Sequence, residues 1–155
     1  MDVSGKLEAE FDSLKVDLIE RYNELGMKAS GNWAQSLNVE IRGLTATIYG
    51  ENYTEQLVEG RAPGKFPPIA AIRQWIEDKG IIPFDDISIS SLAFLIARKI
   101  ARKGTNYYQD GGTDLVSSVI TPQRIQQIID NVSEFSINNF YSQITKVLED
   151  IKVAA

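Results

Sequence analysis

Apolar positions recur along this chain at two different periods, and the changes of period mark out its elements. Leu7, Phe11, Leu14, Leu18, Tyr22 and Leu25 follow one another at spacings of three and four, which places them on one face of a helix over residues 4–25. Glu8, Glu10, Asp12, Lys15, Asp17 and Glu20 fill much of the rest of that helix, and Gly26 stands where a C-terminal cap belongs. The period then falls to two. Leu37, Val39 and Ile41 alternate with polar residues, as do Leu44, Ala46 and Ile48, with Arg42-Gly43 between the two runs. This pattern predicts an antiparallel hairpin over residues 36–49.

Proline and glycine interrupt residues 50–68, which read as a loop, and Pro68 is placed to open a helix as its first residue. That helix is predicted over residues 68–79, with Ile69, Ile72 and Ile76 inward and Gly80 ending it. A further helix is predicted over residues 86–103, from Ile89, Leu92, Ile96 and Ile100. Asp85, Asp86 or Ser88 would cap its start, and Gly104 would terminate it. Residues 106–112 read as a flexible loop or hairpin tip. Thr121-Pro122 then signals a last helix carrying Ile125, Ile128, Val132, Phe135, Phe140, Ile144, Leu148 and Ile151. Unbroken over 122–151 it would be a rod of about 45 Å, with a bend expected at Ser136-Ile137-Asn138-Asn139. The fold class expected is α+β, a small antiparallel sheet with several helices packed on it, in one domain over residues 1–155.

Composition narrows the chemistry more than the fold. Neither cysteine nor histidine occurs, so disulfides, thiolate or imidazole metal sites, cysteine nucleophiles and histidine general bases are all excluded. Any metal would need oxygen ligands, and no Asp-rich loop of calcium-binding spacing is present. The expectation is a protein that is not an enzyme, with no cofactor and no bound metal. No apolar run approaches the roughly 18–20 residues that cross a bilayer, and the polar start Met1-Asp2-Val3-Ser4-Gly5-Lys6 is unlike a signal peptide. A net charge of −5 points away from a dedicated nucleic-acid binder.

The middle of the chain resembles a family. Tyr53-Thr54-Glu55-Gln56-Leu57-Val58-Glu59-Gly60-Arg61 is similar to the tyrosine, apolar residue, Glu-Gly run of tailed-bacteriophage neck and tail-completion (head–tail joining) proteins. A proline loop with Pro67-Pro68 follows, then Ile72 and Trp75-Ile76-Glu77-Asp78-Lys79-Gly80, as in that family. Ile96-Ala97-Arg98-Lys99-Ile100-Ala101-Arg102-Lys103-Gly104-Thr105 resembles its alanine-rich helix ending in Gly-Thr. Upstream, Ala29-Ser30-Gly31-Asn32-Trp33-Ala34-Gln35-Ser36-Leu37 resembles its Ser-Gly-x-Leu-x-x-Ser segment, with Trp33 in place of an aliphatic residue. The resemblance covers residues 29–105 and leaves the C-terminal segment without a counterpart.

What the resemblance implies is a structural virion protein that forms a homo-oligomeric ring and joins head to tail. Its partners would be the portal or adaptor protein and the tail tube or terminator proteins. It would reside in the virion neck or tail, and in the host cytoplasm during assembly. The alternative is a free cytoplasmic phage-encoded regulator or assembly factor that binds one protein partner.

Candidate inter-subunit contacts are Glu59, Arg61, Pro63, Lys65 and Phe66 of the loop, together with Trp33 and Trp75, since tryptophan is enriched in interfaces. Each has a plainer reading: the loop as a proline-stiffened connection, the tryptophans as core. Arg98, Lys99, Arg102 and Lys103 are candidates for facing DNA in a channel, through phosphate contacts without sequence preference. Cations at a helix C-terminus also complement its dipole without any partner. Asp85 and Asp86 read as capping residues before they read as paired catalytic carboxylates.

Overall fold

A computed structural model describes residues 1–154 of the chain. The order of elements is α1 (Val3–Glu24), α2 (Asn32–Ser36), β1 (Asn38–Arg42), β2 (Thr45–Tyr49), α3 (Thr54–Glu59), α4 (Ile69–Lys79), α5 (Ile89–Lys103), α6 (Asn106–Gln109) and α7 (Pro122–Ala154). The class is α+β, with one two-stranded antiparallel hairpin and a long C-terminal helix.

α1 forms where its stripe predicts, burying Leu7, Leu14, Leu18 and Tyr22, and the Asp2 side chain caps its start by accepting from the Gly5 N–H. Its end closes as a Schellman motif: Met27 N–H donates to the Tyr22 carbonyl across Gly26 at φ 67. In the hairpin Val39 faces Ile48 and Ile41 faces Ala46, so the alternating apolar residues share the side that α1 covers. The connection is the two residues Gly43-Leu44, with Gly43 at φ 62 in the position where a type II′ turn takes glycine. Leu44, expected to begin the second strand, is therefore exposed at the tip.

Apolar burial falls into two clusters. One joins Leu18, Tyr22, Met27, Trp33, Leu37 and Leu115, and draws in Ile48 from the sheet and Leu57 and Val58 from α3. The other joins Ile72 and Ile76 of α4 to Leu92, Ala93 and Ala97 of α5. The helices of the second cluster thus pack chiefly on each other, and it is α1 that lies on the sheet. Lys79 bridges the clusters by donating to the Gly26 carbonyl.

Several local expectations are corrected. Residues 50–68 contain α3, and residues 106–112 contain α6. Both helices are too short to show a period, and they are stabilised by packing on each other. Pro68 is the N-cap of α4 and Ile69 its first residue. Ser88, accepting from the Ser91 N–H, caps α5. Asp85 and Asp86 lie before it at φ 51 and 53, in a left-handed turn that rules them out as caps.

α7 begins with Thr121 Oγ1 accepting from the Arg124 N–H at 3.1 Å, as its Thr-Pro signal predicts. It runs antiparallel to α1. Arg124 donates to Ser13 and Asp17, and Asn131 donates to Glu10, while Ser136 and Ile137 line a shallow groove with Val3 and Leu7. Ile128 is buried. No break occurs at residues 136–139; the helix continues past the start of α1.

Candidate inter-subunit surface

The two sets of candidate residues in the middle of the chain, the 59–66 loop and the basic end of α5, are separated in sequence and joined in the fold. Gly60 ends α3 at φ 81, and a Cβ there would come within 2.2 Å of the Tyr108 backbone nitrogen of α6. Gly104 ends α5 at φ 78, and a Cβ there would come within 2.6 Å of the Arg61 carbonyl oxygen. Only glycine allows the two segments this close. The contact is then sewn by hydrogen bonds. Arg61 N–H donates to Thr105 Oγ1 at 2.9 Å, Thr105 N–H donates to the Arg61 carbonyl at 2.9 Å, and Gly64 N–H donates to the Ala101 carbonyl at 2.9 Å. Thr113 Oγ1 donates to the Leu57 carbonyl at 2.7 Å, tying the segment after α6 to α3.

The loop therefore lies as a fixed strap along the last turns of α5. Pro67 is buried beneath it, while Pro63, Lys65 and Phe66 stand exposed. The Phe66 ring packs on Phe94 of α5, with centroids 5.7 Å apart and the planes 38° from parallel. Glu59 is exposed at the end of α3, and Arg61 is half-buried. Trp75, on α4, is 41% exposed.

Arg98, Lys99, Arg102 and Lys103 are all exposed and, among the described residues, form no ion pair. Arg61 and Lys65 lie on the strap beside the end of α5, and neither 60–66 nor 98–105 contains an acidic residue, although the exposed Glu59 borders the strap. Such a surface suits a negatively charged neighbour, whether carboxylates or phosphates. It holds no nucleophile beside a base, and among the described residues no cluster of three Asp or Glu side chains could hold a metal ion.

Trp33 does not belong to this surface. It is 2% exposed, tilts against Tyr22 at a centroid distance of 4.7 Å, and donates its Nε1–H to Thr54 Oγ1 at 2.9 Å. An indole so satisfied is a core residue, which corrects its place among the candidate contacts.

Titration behaviour elsewhere reflects structure. Burial pushes the Tyr22, Tyr53 and Tyr107 phenols up. Asp114, then Glu24, raises Arg21 through hydrogen bonds, the Asp114 pair being bidentate, with Nε donating to Oδ1 at 3.2 Å and Nη2 to Oδ2 at 2.8 Å. The sequence patterns miss the exposed Phe94 beside the strap, because it lies next to the buried stripe of α5 and shares its apolar character.

No family model, curated protein or solved structure matches this chain. No helix among the described residues is long and apolar enough to cross a membrane.

Proposed function

We propose that this chain is a structural subunit of a tailed-phage virion, a ring-forming neck or tail-completion protein that joins head to tail. The observation that carries the reading is surface left uncovered. The accessible area is 10477 Å², against roughly 7,800 Å² for a compact monomer of 17.3 kDa. The excess is rich in large apolar side chains, among them Phe66, Trp75, Phe94 and the outer length of α7. A protein with that much apolar surface is built to be covered by neighbours. The resemblance over residues 29–105 supplies the kind of assembly. The glycine-fixed strap supplies a rigid face, with Pro63, Lys65 and Phe66 presented for docking and Arg98, Lys99, Arg102 and Lys103 beside them.

In this reading the chain works by geometry. Copies associate around a common axis, one face meets the portal or adaptor, and the other meets the tail tube or terminator. The basic flank of α5 meets either acidic side chains of a neighbour or the phosphates of DNA in the channel. Mass spectrometry of purified virions, followed by imaging of the neck, tests the proposal. Ring stoichiometry at the head–tail junction is the expected result. Absence of the chain from intact particles would overturn it and favour a free assembly factor with one protein partner.

A further inference from the structure

The two halves of α7 turn apolar stripes in different directions. Ile128, Val132 and Phe135 form the stripe of the first half, where α7 lies along α1. Continued at the same spacing, that stripe meets Asn139, Ser142 and Lys146, all polar. A second stripe begins at Ile137 and runs through Phe140, Ile144, Val147 and Ile151, at spacings of three, four, three and four. At 100° per residue it is rotated from the first by roughly 130°. Tyr141 and Leu148 widen it on one flank.

Ile137 still lines the groove with Val3, Leu7 and Leu44, and from Phe140 onward the second stripe lies on helix that overhangs the body. Beyond Ile137 no hydrogen bond or ion pair ties α7 to the body among the described residues, and from Phe140 to Ala154 every residue except Thr145 is exposed. Residues 138–154 amount to about 25 Å of projecting helix, a length that is marginal for an unsupported helix in water. The stripe residues are 45–71% exposed. For side chains of roughly 200 Å² each they present on the order of 800 Å² per copy, which equals the share of one partner in a stable interface.

We propose that this overhang packs in parallel against the same segment in neighbouring copies of the chain, forming a ring of C-terminal helices around the axis of the assembly that leaves the channel open. A strict three–four repeat is the pattern by which helices pack on copies of themselves. The flank of Tyr141 and Leu148 makes the stripe broader than a two-helix seam, so each helix meets a neighbour on either side. Rotation about one axis keeps the copies parallel. The inference deepens the ring reading and rests on it for the closed symmetry; the association itself is measured on the chain alone.

The test is sedimentation of the full chain from low to high micromolar concentration. The wild type is expected to rise from 17.3 kDa to multiples of that mass. The double variant Ile144→Asp/Leu148→Asp is expected to stay at monomer mass, with the thermal midpoint that the wild type shows in dilute solution. Asn138→Asp/Ser142→Asp, which adds the same charge to the opposite side of the helix, is expected to associate like the wild type. The chain has no cysteine, so single Ile137→Cys and Ile144→Cys variants report register. Both are expected to form inter-copy disulfides on mild oxidation, and Ser142→Cys is not. A wild type that stays monomeric, loss of association in both double variants, or association unaffected by either would overturn the inference. A disulfide through Ile144→Cys alone means an antiparallel pair, which overturns the parallel ring. None of these results depends on finding the chain in virions, so failure here and failure of the ring reading are separable.

Discussion

The first and second halves of α7 have similar apolar content and differ in what covers it: one face of the first half is packed on the body, although Ile125 and Ile129 stand exposed, while the second half is exposed on every face. In the first, Ile128 is 7% exposed, and Arg124 and Asn131 reach across to Asp17 and Glu10 of α1. In the second, Ile144 is 45% exposed and its neighbours on the stripe more so. What differs is phase. The first stripe points at the body and stops where α1 stops; the second points elsewhere and starts there. A helix that changes its apolar face where its intramolecular partner ends presents two apolar faces, one that folds the chain and one that is left exposed.

Substitutions sharpen that contrast. The largest difference is expected between two isoleucine truncations. Ile128→Ala removes a buried side chain and is expected to lower unfolding free energy by about 3 kcal/mol, whereas Ile144→Ala is expected to change that of the monomer by less than about 0.5 kcal/mol. Urea denaturation at low protein concentration measures both, and equal losses would erase the distinction. Arg124→Ala comes next, at about 1–1.5 kcal/mol. Its guanidinium holds Ser13 at 2.9 Å and Asp17 at 3.2 Å from a partly exposed position that limits the charge term. Thr121→Ala is expected to follow, at about 1 kcal/mol or less, from loss of the cap on the Arg124 N–H. A helical signal that falls along the whole of α7 in the Thr121 variant would show that the cap, more than packing on α1, holds the first half.

Much of this fold is legible in the sequence, for reasons that differ by element. The three–four spacing from Leu7 to Tyr22, the alternation around Gly43 and the Thr121-Pro122 signal are local, and each is realised. α3 and α6 are not legible, because helices of four to six residues have no period and these are held by each other and by Thr113. The union of the 59–66 strap with the end of α5 is equally hidden. It depends on Gly60 meeting Tyr108 and Gly104 meeting Arg61, close approaches between segments more than forty residues apart in sequence. Trp33 reads as interface or core until Thr54 is found beneath its indole N–H. In α7 the information is present but masked. Read as one period from Ile125 to Ile151, the apolar residues merge two stripes, and the polar Ser136-Asn138-Asn139 segment looks like a bend. It is the seam at which the apolar face rotates.

Hydrogen exchange read by mass spectrometry at two protein concentrations tests the difference between the halves most directly. Amides of residues 124–135 are expected to be protected equally in dilute and concentrated solution, because α1 covers that half in every copy. Amides of residues 138–154 are expected to exchange freely when dilute and to slow by at least about tenfold when concentrated, as copies cover the outward stripe. Exchange over 138–154 that is the same at both concentrations, whether fast or slow, would contradict the account.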